Sequence, residues 1–169
     1  SDYIYAAQGM DESGNQLEGN VIVTHETAVR MKLLQIINGF VDIEDIDGRK
    51  SRVSLPWNAK LIALENKVKE ILESDPSNNI IIWCRFRWEV ETIYQMYKEI
   101  ASYIYGGLTD KKREEVLTRW KNNDFCRIMV GMPSAAKFGH TWLKANYVIY
   151  YSGTEDYEDY AQSRDRNYR

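Results

Sequence analysis

The sequence predicts an α/β chain in which a parallel sheet is covered by helices on both faces and a small β-hairpin is inserted ahead of it. Three observations carry that prediction. From residue 80 onward, short runs that are apolar on both faces, such as Ile80-Ile81-Ile82-Trp83, alternate with longer amphipathic stretches. Upstream, two strand-like segments at 41–46 and 49–54 flank Asp47-Gly48, a dipeptide that tolerates the positive φ angles of a two-residue turn. At 169 residues the chain is long enough for one domain with a real core and too short for two full ones.

Residues 1–23 mix polar side chains, Gly9, Gly14, Gly19 and scattered aromatics without a sustained period, which predicts an irregular arm with a short strand at 21–23. The domain proper is then expected over 24–169. Thr24 is suited to cap a helix whose apolar positions Val29, Leu33, Ile36 and Ile37 recur at helical spacing, and Gly39 offers its stop. The hairpin over 41–54 follows as an insertion. After Pro56, Asn58 is a cap for a helix through Leu61, Leu64, Val68, Ile71 and Leu72, which ends before the turn-forming cluster 75–79. Then come a strand at 80–83, a helix over 89–103, a short strand at 104–105, a helix over 110–122, strands at 126–130 and 147–151, and a last helix starting near Asp156.

Composition narrows the function classes. A hydrophobic fraction of 44% and a charged fraction of 28% are those of an ordinary globular chain. The net charge of −3 excludes a globally basic, histone-like nucleic-acid binder. Its distribution is uneven: residues 80–145 carry 11 Lys and Arg against 7 Asp and Glu, whereas residues 1–79 carry 8 against 13. That basic middle suits either a solvated surface or a phosphate-contacting face. Cys84 and Cys126 each lie beside a strand-like run rather than in a close pair, which indicates neither a disulfide framework nor a zinc site and fits a reducing interior. His25 and His140 lie far apart with no metal-ligand spacing around them. No apolar run approaches the roughly 20 residues of a membrane helix. The start at Ser1-Asp2, without Met, is expected of an excised fragment.

In a parallel sheet, ligands gather at the carboxyl ends of the strands. Cys84-Arg85-Phe86-Arg87 follows the first strand, Gly106-Gly107-Leu108-Thr109 the second, a stretch from Gly131 to Thr141 the third, and Gln162 to Arg169 lies in the helix after the fourth. Arg85, Arg87, Gly107, Thr109 and Lys111 are candidate donors to phosphates, and Thr109 is also a natural helix cap. In the third segment, Ser134, Ala135, Ala136 and Gly139 let the backbone approach a ligand closely. The three-residue spacing of Arg166 and Arg169 puts two guanidinium groups on one helix face, where planar, permanently charged donors can reach a single phosphoryl group. The same spacing also suits an exposed helix of mixed charge.

Several of these segments together resemble a known family. Lys60 in Asn-Ala-Lys-Leu, the run Ile-Ile-Ile-Trp-Cys-Arg-Phe at 80–86, and Tyr-Gly-Gly-Leu-Thr at 105–109 followed by Arg113 and Trp120 are similar to the front half of the Swi/Snf helicase C-terminal lobe. Residues 134–141 followed by Ala145 are similar to its motif V, and Gln162 to Arg169 is similar to its motif VI, Gln-x-x-Asp-Arg-x-x-Arg. The resemblance covers about residues 30–169. It implies a three-layer RecA-like fold and a DNA-dependent ATPase or translocase of superfamily two. By it, Arg166 and Arg169 are arginine fingers and Gln162 senses or positions the nucleotide. Ser134 and Lys137 are implied as nucleic-acid contacts, with Arg85, Arg87, Gly107, Thr109 and Lys111 beside them, and Gly139 and Thr141 as nucleotide-side contacts. The sequence departs from the pattern at His140 and Trp142, where leucines are usual, and at Ala136-Lys137, where two glycines are common.

No Gly-x-x-x-x-Gly-Lys-Ser/Thr loop and no Asp-Glu-x-His/Asp segment occurs in the chain. By the resemblance, ATP and Mg²⁺ are bound mainly by an N-terminal lobe outside this chain, which alone is expected to be inactive; no metal site is expected in it. The expected partners are that lobe and DNA, double-stranded and contacted without reading of sequence, with no membrane. The chain stops at Arg169, where the family usually continues Ile-Gly-Gln. The expected location is intracellular: cytoplasmic for a bacterial or phage protein, nuclear for a eukaryotic one. Two alternatives stand beside this reading. One is the second lobe of an RNA helicase or restriction-type motor; the other is a stand-alone nucleic-acid-binding or protein-interaction domain on the same scaffold.

Overall fold

The computed structural model describes residues 3–10, 16–23, 26–44, 48–55, 58–137 and 142–153, with backbone alone at 3–10, 16–20, 22, 23, 26, 136 and 137. The chain divides into two compact units, Ser1–Ala63 and Leu64–Arg169.

In the first unit, β1 (Tyr3–Met10) and β2 (Gln16–Val23) form an antiparallel hairpin paired from Tyr3↔Val23 to Met10↔Gln16. A second hairpin joins β3 (Phe40–Glu44) to β4 (Lys50–Ser54), paired from Phe40↔Ser54 to Glu44↔Lys50. The pairings Asn20↔Glu44 and Met10↔Ser54 link the hairpins, so the four strands close into a small barrel. Residues 3–10 and 16–23 are therefore strands rather than part of the expected irregular arm, and the hairpin expected as an insertion is half of this barrel. The physical reason is that glycines and small or polar residues such as Ala6, Ala7, Gly9, Gly19 and Asn20 give little side-chain periodicity. The strands are held by main-chain pairing, which leaves no mark in composition.

Val21, Val41, Ile43 and Val53 make the core of this unit, with Ala28 and Val29 of α1 (Glu26–Ile37) packed against it. Thr24, the expected cap of α1, lies outside the described residues. Its expected stop is in place: the Gly39 N–H donates to Ile36 O at 3.0 Å and Gly39 has φ +87°, a conformation that suits only glycine well. Asn58 then serves two segments, donating from Nδ2 to Asn38 O at 3.0 Å and accepting at Oδ1 from Leu61 N at 2.9 Å as the cap of α2 (Ala59–Ser74).

The division between the units falls between Ala63 and Leu64, within α2, and not at the expected 23/24 boundary. The second unit continues with β5 (Ile80–Trp83), α3 (Arg87–Met96), β6 (Ala101–Ile104), α4 (Asp110–Asn122), β7 (Ile128–Gly131), a 3₁₀ helix over Pro133–Lys137, and β8 (Tyr147–Tyr150). Its strands lie in the order β6-β7-β5-β8, and all neighbours are parallel. The chain moves from β5 outward to β6 through α3, then back to β7 through α4. Right-handed crossovers in opposite directions put those helices on opposite faces. The side chains agree: Tyr94 of α3 meets the Tyr103 ring at 4.6 Å, while neighbouring Ser102 points the other way and donates to Val116 O of α4 at 2.7 Å.

Helix α3 stops at Met96 although the apolar period runs on to Tyr103. Ile100 O accepts from Arg127 N at 2.8 Å and Ile128 N at 3.1 Å, which draws the chain into the sheet beside β7. On the α4 face, Ile81, Trp83, Ile104 and Met129 form one buried cluster with Leu117 and Trp120. Each fully buried side chain of this kind contributes about 1.5–3 kcal/mol. Trp142 closes the cluster edge-on against Trp83 at 5.7 Å.

At the amino ends of the strands, side chains substitute for missing backbone partners. Asn146 Oδ1 accepts from Asn79 N at 2.7 Å, and its Nδ2 donates to Asn78 Oδ1 at 2.8 Å. Arg127 donates to Asn78 O and Asp75 O, both at 3.0 Å. Lys144 Nζ donates to Trp120 O, Asn123 O and Cys126 O, each at 2.8 Å, filling the carbonyl end of α4 with an ammonium.

Candidate nucleic-acid and phosphate-facing edge

The opposite, carboxyl edge of the sheet carries the candidate site. After β5, the main chain turns at Cys84-Arg85-Phe86 into α3. The Arg85 side chain is half-buried with its guanidinium over the Phe86 ring at 5.7 Å. Arg87, one residue into that helix, is exposed. It pairs with Glu91 at 2.7 Å and lies over the Tyr105 ring, 4.5 Å from its centroid, so residues after β5 and β6 meet across the edge. The hydrogen bond to Glu91 pushes the Arg87 pKa up, and burial pushes the Tyr105 phenol up against the opposing pull of Arg87. Tyr105 stacks in turn on Tyr103 at 5.7 Å.

After β6, Gly107 takes φ +89° and would admit a Cβ into open space, so its conformation rather than crowding selects glycine. The turn leads to Thr109, whose Oγ1 accepts from Lys112 N at 3.3 Å as the cap of α4. Thr109 and Lys111 are exposed at the start of that helix. After β7, the 3₁₀ helix carries Ser134 exposed and Ala135 buried, and Arg113 Nη1 of α4 donates to Ala135 O at 3.5 Å. Lys137 ends that helix. Arg85, Arg87, Gly107, Thr109, Lys111, Ser134 and Lys137 are thus all on segments leaving one edge of one sheet. Gly139, Thr141, Gln162, Arg166 and Arg169 lie outside the described residues.

Two contributors were not marked in the sequence. Glu89 has no exposed surface, and its Oε2 accepts from Arg85 N and Phe86 N, both at 3.0 Å, and from Ser152 Oγ at 2.5 Å. Ser152 Oγ also accepts from Arg85 N at 2.6 Å. The signal for Glu89 was its place three residues into a helix, where a carboxylate reaches back to main-chain N–H groups; Ser152 carried none. Chemically the edge presents main-chain N–H groups, guanidinium groups and hydroxyls, a donor set that fits phosphate oxygens. Among the described residues, no group of three or more His, Cys, Asp or Glu could hold a metal ion.

A family model for the helicase conserved C-terminal domain matches residues 63–169. The chain belongs to that family. The match begins one residue before the second unit, and the parallel sheet with helices on both faces is its RecA-like α/β fold. Among solved structures, this helicase C-terminal domain is similar to the C-terminal part of the Fun30 ATPase domain, with a TM-score of 0.58 and 20% identity over 66% of this chain and 37% of that one. It also matches the Sulfolobus solfataricus SWI2/SNF2 ATPase core in complex with dsDNA, with a TM-score of 0.48 and 23% identity over 56% of this chain and 20% of that one. The Sulfolobus solfataricus SWI2/SNF2 ATPase C-terminal domain gives a TM-score of 0.47 and 23% identity over 56% and 42%. At 20% identity the likeness to the Fun30 structure is one of fold. The chain spans little more than a third of the Fun30 structure it matches. A comparison with curated proteins finds no match.

Proposed function

We propose that this chain is the C-terminal lobe of a Swi/Snf-type, DNA-dependent ATPase and translocase. The observation that carries the reading is the convergence of the basic and glycine-bearing turns after β5, β6 and β7 on the carboxyl edge of one parallel sheet, within a helicase C-terminal domain. Arg85, Arg87, Lys111, Ser134 and Lys137, with the main chain at Gly107 and Thr109, contact the DNA backbone. Such contacts give affinity that is indifferent to sequence and falls with salt, as a translocating motor requires. The Arg87–Glu91 pair is exposed to solvent and weakly held, so a phosphate can displace the carboxylate.

Arg166 and Arg169 act as arginine fingers on the γ-phosphate, Gln162 positions the nucleotide, and Gly139 and Thr141 line its side of the third segment. ATP supplies the transferable phosphoryl group. An N-terminal lobe of the same protein holds it together with Mg²⁺, and the fragment alone does not turn over. The protein works in a reducing, intracellular compartment, where its two buried cysteines remain thiols.

The test is ATP hydrolysis by the full-length protein with and without duplex DNA, comparing wild type with Arg169→Ala. The expected result is loss of DNA-stimulated turnover by a factor of about 10³ or more with ATP binding retained. Unchanged turnover refutes the finger assignment and favours a non-catalytic nucleic-acid-binding scaffold. Stimulation by RNA in place of DNA favours an RNA helicase lobe.

A further inference from the structure

Glu89 does more than a helix-capping carboxylate needs to do. A cap of this kind accepts from the main chain at the helix start and ordinarily stays in water. Glu89 is instead wholly buried at the carboxyl edge of the sheet, and an ion there is stable only when several donors meet it. Its Oε2 takes Phe86 N, as a cap would, and also Arg85 N and the Ser152 hydroxyl. That hydroxyl lies beyond β8, on the far side of the junction between two neighbouring strands, and it too accepts from Arg85 N. The main-chain N–H of Arg85 is therefore shared between two side chains from two segments. The junction is reinforced by Tyr151 N, which donates to Trp83 O at 2.9 Å.

Arg85 is one of the residues assigned above to the DNA backbone, and Ser152 lies ten positions before Gln162 in the chain segment that also carries Arg166 and Arg169. We propose that Glu89 and Ser152 form a coupling clamp, a pair of positioning residues through which engagement of DNA at Arg85 is felt where the chain leaves β8 toward its arginines. This rests on the function proposed above and deepens it. Neither residue touches substrate. A shift of the Arg85 main chain cannot leave Ser152 in place without breaking a hydrogen bond to a buried carboxylate, which makes the two segments move as one.

The experiment measures ATP hydrolysis by the full-length protein at saturating ATP, with and without saturating duplex DNA, for wild type, Ser152→Ala, Glu89→Ala, Glu89→Gln and Arg169→Ala. Thermal unfolding is recorded for each. For Ser152→Ala the expected result is a loss of DNA stimulation of about tenfold, with basal turnover and the KM for ATP within about twofold of wild type. Glu89→Gln keeps an oxygen that can accept from the same three donors and retains most of the stimulation, whereas Glu89→Ala loses it. Combining Ser152→Ala with Glu89→Ala costs no more than either alone, because the two act as one unit.

The clamp is overturned if Ser152→Ala is stimulated like wild type. It is equally overturned if basal and stimulated turnover fall in the same proportion as thermal stability, as a purely structural contact would give. Should Glu89→Ala fail to fold, Ser152→Ala, which removes a single hydroxyl, still decides. Loss of turnover in Arg169→Ala beside a normal Ser152→Ala keeps the motor reading and removes the clamp. A wild-type protein without DNA-dependent turnover removes both.

Discussion

Lys144→Met is expected to destabilise the second unit by about 3 kcal/mol. The side chain keeps its length and loses the ammonium that now donates to Trp120 O, Asn123 O and Cys126 O. Asn123 O lies where water can replace the donor, so its loss is cheap. Trp120 O and Cys126 O are partly buried, and each loses a charge-assisted hydrogen bond worth about 1–1.5 kcal/mol once partial rehydration is counted. Removing a cation from the carbonyl end of α4 adds about 0.5 kcal/mol. The assay is urea unfolding followed by tryptophan fluorescence, since Trp83, Trp88, Trp120 and Trp142 all lie in this unit. With a slope of about 2 kcal/mol per molar, the midpoint drops by about 1.5 M at unchanged slope. Lys144→Arg keeps the charge but has a planar fork that cannot aim three donors at carbonyls around one point, and recovers less than half of the loss. Lys121→Met, at an exposed site on α4, stays within about 0.5 kcal/mol of wild type. A midpoint for Lys144→Met matching that of Lys121→Met refutes the argument.

Gly131→Ala puts a Cβ 2.6 Å from Ile104 Cγ2 and 3.0 Å from Ile104 O, with the buried Trp83 ring behind; thermal unfolding should show a loss of about 2–4 kcal/mol. Burial pushes the Cys126 thiol up, so the folded state holds its proton more tightly than the unfolded chain does. Its contribution is full below the unfolded thiol value and declines as pH rises above about 8.5; Cys126→Ala should flatten that decline in urea midpoints measured between about pH 7.5 and 9.5. Glu91→Gln removes the carboxylate that holds Arg87, and the proposed function then requires tighter duplex binding with a steeper salt dependence, by about one unit of slope, in anisotropy titrations of the full-length protein.

What was legible beforehand divides along the type of signal. The runs at 80–83 and 147–150 are apolar over their length, and they are strands where their pattern put them. Asn58, Gly39 and Thr109 act at helix ends through their own side chain or their own φ, so their roles belong to residue type and were readable. The barrel of the first unit was not, because β1 and β2 are held by each other's main chain and by single pairings to residues more than twenty positions away. The end of α3 is hidden in the sequence for a related reason: its apolar period continues, while the hydrogen bonds from Arg127 and Ile128 to Ile100 O draw the chain into the sheet. At the candidate site, the residues proposed to meet phosphate stand out in the sequence as basic and glycine residues after strands. Glu89 and Ser152 were not, since a lone acid and a lone hydroxyl acquire meaning only when β5 and β8 lie side by side.

The two ends of the parallel sheet have been given different work. At one, Asn78, Asn79, Asn146, Arg127 and Lys144 bind loops and helix ends to the scaffold. At the other, the side chains of Arg87, Lys111 and Ser134 are exposed, while Glu89 and Ser152 hold the turn after β5 from beneath. On the function proposed above, a library of single substitutions scored separately for cellular abundance and for motor activity should therefore separate these two sets of residues. Abundance would fall for changes at the amino ends of the strands and at Gly131, and activity at normal abundance would fall for changes at the exposed side chains of the carboxyl ends. On that reading, making this lobe sturdier and retuning its contacts with DNA are separable projects, the first pursued on residues that hold the scaffold and the second on exposed ones at the carboxyl ends.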